Sequence, residues 1–398
     1  MILEGIALKK RGSAFSLPII IAFAFCIIFN LAAWMSTAFS DFYVTYIFPV
    51  ITGIYGRFTS LFRFSVGEKM LVVIVIYISL AIIFVLSHTI FMLFGKFKKE
   101  HGKGYYSFGK KCERVSDFFY RVTPVLLAIT MVIMSLNCFV LYHTSKLDVA
   151  PDSDHEDYNL EELAQLRDYI VRKCNELSTK VPHDENGNVA FEGDMAATAI
   201  AAMQNISGDY PRLSGYYVTP KALYFSDFMC QQYMQGYYFP FSMEANYNNT
   251  MNMLNKPFTM CHELAHTHGY IYEDEANFFG FLACISSDDI VFQYSGYLGV
   301  LNYVNNDFYR AVSEKEYKSH VKISDRVKYD NEFLSQEGWQ EVEKKAVIKT
   351  ETVKKAADAF IDTNLKVNGV SSGKVSYAHV VGLIMDYYYS NSILASAG

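Results

Sequence analysis

The chain has 398 residues, of which 51% are hydrophobic and 19% are charged, and its formal net charge is -6 at pH 7. This composition is too apolar for a wholly water-soluble protein of ordinary type and indicates that part of the chain lies in lipid. The net charge is negative and no basic cluster lies among aromatic residues, so we do not expect the chain to bind nucleic acid.

Long uncharged stretches are concentrated at the start of the chain. Residues 17–38, 70–94 and 122–142 are mostly apolar, and each has the roughly 20 residues that an α-helix needs to cross a bilayer. We therefore predict three transmembrane helices in a membrane region of residues 1–147. The first is predicted to be an uncleaved anchor, because its apolar stretch exceeds that of a signal peptide.

Residues 42–64 are also apolar, but they are interrupted by Pro49, Gly53 and Gly56. These breaks argue against a fourth span and are compatible with a segment in the membrane interface. A fourth span here would invert the topology of everything that follows.

Basic residues flank the predicted spans unevenly. Because basic loops stay in the cytoplasm, we predict a multi-pass protein of the cell membrane with a cytoplasmic N-terminus and an extracytoplasmic C-terminal domain. The prediction rests on Lys9, Lys10 and Arg11 before the first span, and on Lys96, Lys98, Lys99, Lys103, Lys110, Lys111 and Arg114 between the second and third.

The composition becomes mixed after the third predicted span. Residues 148–158 are acidic and are predicted to be a solvated linker. In the domain of residues 159–398, helical spacing of apolar residues predicts helices over 159–177 and 194–205. Residues 216–249 instead carry a glycine, two prolines and alternating aromatics that predict short strands and turns. The expected fold is an α-rich α+β domain.

Two helices are predicted in the middle of this domain. Thr259 is expected to cap a helix that runs to about His268, with Gly269 as its C-terminal breaker. A second helix is expected to begin at Tyr272 or Glu273. Helical periodicity returns further on, at residues 337–365 and 376–389.

Residues 262–266 read His-Glu-Leu-Ala-His. On one helix, His262 and His266 share a face with their Cβ atoms about 5–6 Å apart, so both imidazoles can bind one metal ion. Two such histidines and a third protein ligand hold Zn²⁺ and leave a position for water, whose pKa falls to about 7. Glu263 is then the general base on zinc-bound water and returns the proton to the leaving amine.

The candidates for the third metal ligand are the carboxylates of the run Glu273-Asp274-Glu275-Ala276-Asn277. Glu273 is favoured, because Asn277 shares its helical face and can orient a ligand, whereas Glu275 points about 200° away. Glu275 is the alternative ligand. The non-functional explanation for Glu273 is a carboxylate that stabilises a helix N-terminus.

Three further side chains near the motif are candidates for a role at the site. Tyr294 and Tyr297 are candidate catalytic residues that would donate a hydrogen bond to the oxyanion of a tetrahedral intermediate, and the alternative for each is a packing role. His268 turns away from the metal face and is expected to be structural or to support a ligand.

The cysteines of the polar domain are scattered and form no CxxC pair. A disulfide between two of them and buried free thiols are both compatible with this spacing. The four residues are Cys174, Cys230, Cys261 and Cys284.

Seven stretches of the chain carry a family resemblance: residues 236–241, 244–246, 257–266, 273–277, 294–297, 364–369 and 376–377. Together they resemble the bacterial domain of unknown function 3810 family. The resemblance implies membrane helices followed by a zincin-like domain and brings no substrate with it. More distantly, Glu273 with Ala276 and Asn277 is similar to a pattern of gluzincin metallopeptidases, which implies Glu273 as a zinc ligand, although the gap after His266 is much shorter here.

The sequence therefore predicts a membrane-anchored zinc metallopeptidase that acts on a peptide or protein substrate aligned along a strand edge within residues 237–249. The alternative is a non-catalytic, zinc-containing membrane sensor or scaffold. Transport is disfavoured, because the predicted spans contain no Asp, Glu, Lys or Arg of the kind that marks an ion or substrate path.

Overall fold

The computed structural model of the chain describes residues 16–95, 103–149, 158–367 and 379–391. Over these ranges the chain is mostly helical and forms one small sheet. The helices are α1 (Leu17–Met35), α2 (Thr37–Phe42), α3 (Phe48–Ser60), α4 (Val66–Gly95), α5 (Lys103–Asn137), α6 (Leu160–Leu177), α7 (Met195–Asn205), α8 (Ser226–Gln231), α9 (Asn255–Thr267), α10 (Glu273–Ile285), α11 (Ile290–Ala311), α12 (Glu314–Tyr317), α13 (Asp325–Asp330), α14 (Gln336–Lys345), α15 (Thr350–Val367) and α16 (Val380–Ser390).

The chain divides into two compact units. The first, which we call the apolar unit, comprises Met1–Met35 and Gly67–Val140, and the second, the polar unit, comprises Ser36–Val66 and Leu141–Gly398. Residues 36–66 therefore belong to the polar unit, although they fall within the range that the sequence assigns to the membrane region.

Three helices of the described chain are long and apolar enough to cross a membrane, as the sequence predicts. The apolar stretches are Leu17–Met35, Val66–Ile90 and Lys111–His143, with mean hydropathies of 2.3, 3.0 and 2.3. Within the apolar unit, α1 and α5 share a polar contact, because Asn30 Nδ2 donates to Ser135 Oγ at 2.7 Å.

Several predictions concern residues that the structure leaves undescribed. The basic residues Lys9, Lys10, Arg11, Lys96, Lys98 and Lys99 lie outside the described ranges, as do nearly all of the acidic linker at 148–158 and residues 368–369 and 376–377 of the family resemblance. The orientation of the chain in a membrane therefore stays a prediction.

Residues 36–60 form helix rather than an irregular segment. Ser36 caps α2, a π-helical turn over Tyr43–Ile47 follows, and α3 begins with Pro49 in its first turn, where a proline costs the helix no hydrogen bond. In the polar unit α3 lies against the end of α9, since Thr52 Oγ1 donates to the carbonyl of Thr267 at 3.2 Å.

A buried ion pair joins this segment to the sheet. Lys221 Nζ lies 2.5 Å from Glu244 Oε1, and both side chains are almost wholly buried. The ammonium also donates to the Thr59 carbonyl at 2.6 Å, and the carboxylate accepts from the Val66 amide at 3.0 Å. Because a buried pair is stable only when its remaining hydrogen bonds are made, residues 59–66 complete the surroundings of this pair.

The sheet lies within the predicted β region. Its strands are β1 (Lys221–Ala222), β2 (Gly236–Phe239) and β3 (Glu244–Tyr247), in the order β1-β3-β2. The central strand β3 pairs parallel with β1 and antiparallel with β2, with Tyr237 opposite Asn246. The predicted small sheet is therefore present, and β2 is one of its terminal strands.

Helix α6 begins and is anchored as its sequence suggests. Asn159 and Glu162 form a reciprocal capping box at its start. The adjacent pair Arg167 and Asp168 then ties α6 to α11 and to the chain after α12. Arg167 is 1% exposed and donates to Asp168, to Asn305 and to a backbone carbonyl, while His320 Nδ1 lies 3.0 Å from Asp168 Oδ2.

The start of α9 differs from the prediction. The helix begins at Asn255, so Thr259 lies inside it and donates to the Asn255 carbonyl at 2.7 Å instead of capping. Its end was predicted correctly. Gly269 follows the last turn with φ +86°, a conformation that favours glycine. The predicted helices near 159–177, 194–205 and 273–286 are confirmed as α6, α7 and α10.

Candidate metal site

Helix α9 is held at its start by a residue of α11. Ser295 Oγ accepts from the Phe258 amide at 3.1 Å and donates to the Leu254 carbonyl at 2.5 Å. The hydroxyl thus bridges the Phe258 amide and the Leu254 carbonyl, the two groups that would otherwise form the first hydrogen bond of the helix. Gly299 lets the helices approach closely, because a Cβ there would lie 2.3 Å from the Phe258 ring. The contacts with α11 therefore hold in place the helix that carries His262 and His266.

A tight turn returns the chain to the histidine face. After α9 the chain turns at Gly269, and α10 begins at Glu273. A Cβ on Gly269 would lie 2.3 Å from Val44 of the segment before α3. The short gap between His266 and Glu273 is thus sufficient to bring the carboxylate beside the imidazoles.

His262, His266 and Glu273 form a compact group of potential metal ligands. The Nε2 atoms of the two histidines are 3.1 Å apart. Glu273 Oε2 lies 3.3 Å from Nε2 of His262 and 3.9 Å from Nε2 of His266. The group is accessible from outside, since the side chain of Glu273 is 22% exposed and that of His262 is 12% exposed.

The dimensions of this triangle fit a tetrahedral zinc ion. Zn–N and Zn–O bonds of 2.0–2.1 Å in tetrahedral geometry separate two ligand atoms by about 3.3–3.4 Å. The three observed separations, 3.1, 3.3 and 3.9 Å, bracket this value. Two imidazole nitrogens and one carboxylate are also a donor set that zinc prefers when a fourth position stays open.

The far side of the His266 imidazole is held by the turn after α9. His266 Nδ1 lies 2.7 Å from the Tyr270 carbonyl, which can only accept, so Nδ1 carries the proton and Nε2 presents a lone pair. His262 Nδ1 and Asn277 Nδ2 are buried and have no hydrogen-bond partner among the described residues. A supporting role of Asn277 beside the ligands therefore stays a prediction.

Glu263 occupies a pocket under the sheet. It is 4% exposed, and its Oε2 has no hydrogen-bond partner in the described part of the chain. Gly236 at the start of β2 makes room for it, since a Cβ at that position would lie 2.7 Å from Glu263 Oε1 and 2.6 Å from the Asn246 carbonyl. Burial raises the pKa of Glu263 to about 8, so the carboxylate is a strong base for its type.

The pKa values of the ligand group reflect burial and mutual contact. Burial and the neighbouring His262 lower the pKa of His266 to about 4, which favours the neutral form that binds metal. Burial opposes the charge on His262 and Glu273, but their hydrogen bond raises the pKa of His262 and lowers that of Glu273. The carboxylate is thereby held ionised.

The structure places Glu275 away from this group. Its Oε1 accepts from the Leu147 amide at 2.7 Å, and burial raises its pKa to about 7. The neighbouring Tyr272 donates to the Tyr142 carbonyl at 2.6 Å, and Lys146 lies over the Tyr272 ring. These contacts tie α10 to residues 142–147 of the same unit.

The two candidate tyrosines are also placed elsewhere. Tyr294 donates to Asp330 Oδ2 at 3.0 Å, and burial raises its pKa. Tyr297 packs edge-on against Tyr169 and Phe281 in the core. Their neighbour Ser295 is the residue of this stretch that supports the site, through the cap on α9.

Two further side chains complete the description of the site. Tyr303, one turn and a half beyond Tyr297 on α11, lies beside Asn277 and Glu273, and burial together with the charge of Glu273 raises its pKa to about 12. Sequence reasoning missed it because the spacing of α11 alone does not show which face meets α10. His268 stacks on Tyr217 at 4.1 Å between ring centroids, and burial lowers its pKa to about 4.

The cysteines of the polar unit are buried and free. Cys261 and Cys284 approach each other across α9 and α10, with their sulfur atoms 3.9 Å apart. Burial raises the pKa of Cys174 and Cys284, as expected for thiols in an apolar core.

A family model matches residues 43–385, which is most of the chain. The chain belongs to the family described as protein of unknown function DUF3810. The DUF3810 match starts within the segment before α3 and includes α9, α10 and nearly all of the rest of the polar unit, so the resemblance seen in the sequence is confirmed. Neither a curated protein nor a solved structure matches the chain.

Proposed function

We propose that this protein is a membrane-anchored zinc metallopeptidase with a zincin-like catalytic domain. The observation that carries the proposal is the triangle of His262, His266 and Glu273, with the buried carboxylate of Glu263 adjacent to it in sequence and on the same helix. A structural zinc site uses four protein ligands, whereas three ligands leave a position for a reactant.

Each residue of the site has a distinct role in the proposed reaction. The imidazoles of His262 and His266 and the carboxylate of Glu273 would hold Zn²⁺, which supplies Lewis-acid chemistry and lowers the pKa of water when it is bound. Glu263 takes the proton of the attacking water and passes it to the leaving amine.

The sheet supports an extended substrate. Strand β2 is terminal in the sheet, and Gly236 at its start is in van der Waals reach of Glu263. A peptide that extended the sheet would align its backbone along the strand, and such addition fixes register through main-chain hydrogen bonds. We propose that this brings the scissile bond to Glu263.

The cellular placement is part of the proposal. The basic residues around the first two spans favour a cytoplasmic N-terminus, which places the polar unit outside the cytoplasm. Reporters fused after Gly95 and after Gly398 should then report opposite sides of the membrane. The same side for both would reverse this assignment.

The decisive test compares purified full-length protein with its Glu263→Gln variant. Both should bind one equivalent of zinc, and the variant should lose cleavage of a peptide library. The exposed Glu185→Gln change is the matched control and should leave cleavage intact. Equal cleavage by wild type and Glu263→Gln would refute the mechanism, and zinc binding without cleavage by wild type would favour the sensor or scaffold.

A further inference from the structure

The segment of α2 and α3 has an apolar face on its outside. Along α3, Val50, Ile54, Phe58 and Leu61 recur at helical spacing and are 58, 68, 59 and 77% exposed. The preceding turns add Phe42 and Tyr46, at 55 and 65%. We call these six residues the outer face of the segment.

The opposite face of the same helices is occupied by the polar unit. Phe48, Thr52 and Thr59 are at most 3% exposed, and a Cβ on Gly56 would lie 2.5 Å from Val218. The segment therefore has one face packed on protein, and its large apolar side chains point the other way. So large a contiguous apolar surface indicates a binding partner or a membrane.

The position of the segment in the chain identifies this partner. Apolar stretch Leu17–Met35 ends immediately before α2, and apolar stretch Val66–Ile90 begins shortly after α3. If both cross the bilayer, the chain leaves and re-enters it at the same surface, with the segment between these two points. The partner present at both ends is lipid.

We infer that α2 and α3 lie in the membrane interface with the outer face against the acyl chains. Helices that lie in the interface bury their apolar face about 5–10 Å deep, to the boundary between headgroups and acyl chains. The side chains of Val50, Ile54 and Phe58 project from one face of α3 at helical spacing, so all three would reach this depth. A second copy of the chain is the competing occupant, but it would leave the segment between two spans without contact to the adjacent lipid.

Two further exposed aromatics lie close in sequence to a residue that contacts the end of α3. Tyr224, just before α8, and Phe228 within it are 79 and 51% exposed. They follow Lys221, whose ammonium donates to the Thr59 carbonyl at the end of α3. Aromatic side chains of this kind are enriched where a protein meets the bilayer surface.

This placement defines a substrate class, and that step rests on the proposed function. Thr52 of α3 donates to the carbonyl of Thr267, the residue next to His266. The metal helix is thus one helix diameter, about 10 Å, from the interfacial segment. The site would act on polypeptide at the bilayer surface, such as the flanks of membrane-spanning or lipid-anchored chains.

Depth-resolved quenching tests the membrane placement without any need for catalysis. All seven native cysteines are buried, so a thiol introduced by Ile54→Cys can be labelled selectively with an environment-sensitive fluorophore. Tyr309→Cys is the control, because Tyr309 is likewise a large exposed side chain on a helix of the polar unit, at 53%. The labelled full-length proteins are placed in phosphatidylcholine vesicles.

The expected result is strong quenching of the Ile54 probe by lipid that carries a nitroxide near its headgroup, and weak quenching by aqueous iodide. The Tyr309 probe should show the reverse. Three results would overturn the inference: iodide quenching at Ile54 equal to that at Tyr309, protection of Ile54 from both quenchers, and strongest quenching by a nitroxide at the acyl-chain end, as in a fourth span.

The substrate class has its own measurement. One peptide that wild type cleaves is supplied free or tethered to the vesicle surface, with Glu263→Gln as the background. Tethering should raise the cleavage rate at least tenfold at equal bulk concentration, and equal rates would refute the substrate class. Lipid quenching at Ile54 without cleavage of either peptide would uphold the membrane placement and count against the proposed peptidase.

Discussion

Glu273 Oε2 lies 3.3 Å from Nε2 of His262 although the two residues belong to different helices. The turn at Gly269 brings these two side chains together, because it reverses the direction of the chain between α9 and α10. Glu275, on the same first turn of α10, contacts the Leu147 amide instead. The two carboxylates therefore offer a matched comparison at the site.

We expect Glu273→Gln to lower zinc affinity by more than about 100-fold, beyond the 10–100-fold typical of residues that only support a ligand. Glu275→Gln should change it by a few fold at most. Both changes remove one charge from the same helix N-terminus, so the loss of favourable helix-dipole energy is common to them. Competition with a chromophoric chelator measures both affinities, and equal losses would contradict the ligand assignment.

Gly236→Ala should remove activity and destabilise the polar unit. The added Cβ would lie 2.6 Å from the Asn246 carbonyl and 2.7 Å from Glu263 Oε1, and such overpacking costs about 1–3 kcal/mol. Gly208→Ala is the control, because its Cβ would meet nothing within 4 Å. Thermal unfolding and peptide cleavage are measured for each, and a Gly236→Ala protein with wild-type stability and rate would disprove the close approach of β2.

Ser295→Ala should weaken the start of the metal helix. It removes the hydroxyl that bridges the Phe258 amide and the Leu254 carbonyl, and a hydrogen bond of this kind contributes about 0.5–1.5 kcal/mol. Ser319→Ala removes an exposed hydroxyl and should cost less than about 0.5 kcal/mol. Denaturant unfolding compares the two, and similar losses would argue against a cap on α9.

The contacts of Asp168 predict an acid-sensitive connection between α6 and the chain after α12. Burial would raise the pKa of Asp168, but hydrogen bonds from Arg167 and His320 outweigh it and hold the pKa below its usual 3.8. A lowered carboxyl pKa contributes stability above the unfolded pKa and loses it as the pH falls through the folded pKa.

Asp168→Asn should therefore melt at a lower temperature than wild type at neutral pH. The difference should shrink as the pH falls below about 3.8, the ordinary carboxyl pKa. Thermal unfolding of both proteins in detergent over this range is the measurement. A difference that does not vary with pH would show that the charge of Asp168 does not contribute.

Local patterns in the sequence were sufficient for the helices and for most of the candidate site. The four-residue spacing of His262 and His266 and the glycine after them determine which side chains share a face, and both are local. Glu273 was favoured over Glu275 by the same helical geometry. The predicted ranges 159–177 and 194–205 each start at the residue that caps the observed helix, since Asn159 and Asp194 accept from the amide three residues on.

Contacts between distant parts of the chain could not be predicted from local sequence patterns. Thr259 was predicted to cap α9, but Ser295 takes this role from another helix. The position of Tyr303 beside Asn277 depends on how α11 packs on α10. Residues 36–66 fall within the predicted membrane region, and local patterns did not show that their buried face meets Val218 and Thr267, which are distant in the sequence.

Residues 36–66 belong to the polar unit. This determines when the polar unit can complete its folding during synthesis. This segment leaves the ribosome long before its partners Glu244 and Thr267, so its contacts with them can form only after those residues have been made. A fragment that starts at residue 148 would lack the Thr59 carbonyl and the Val66 amide around a buried lysine and glutamate. Preparations of the polar unit therefore need the upstream segment, supplied either in the full chain or as a covalent graft.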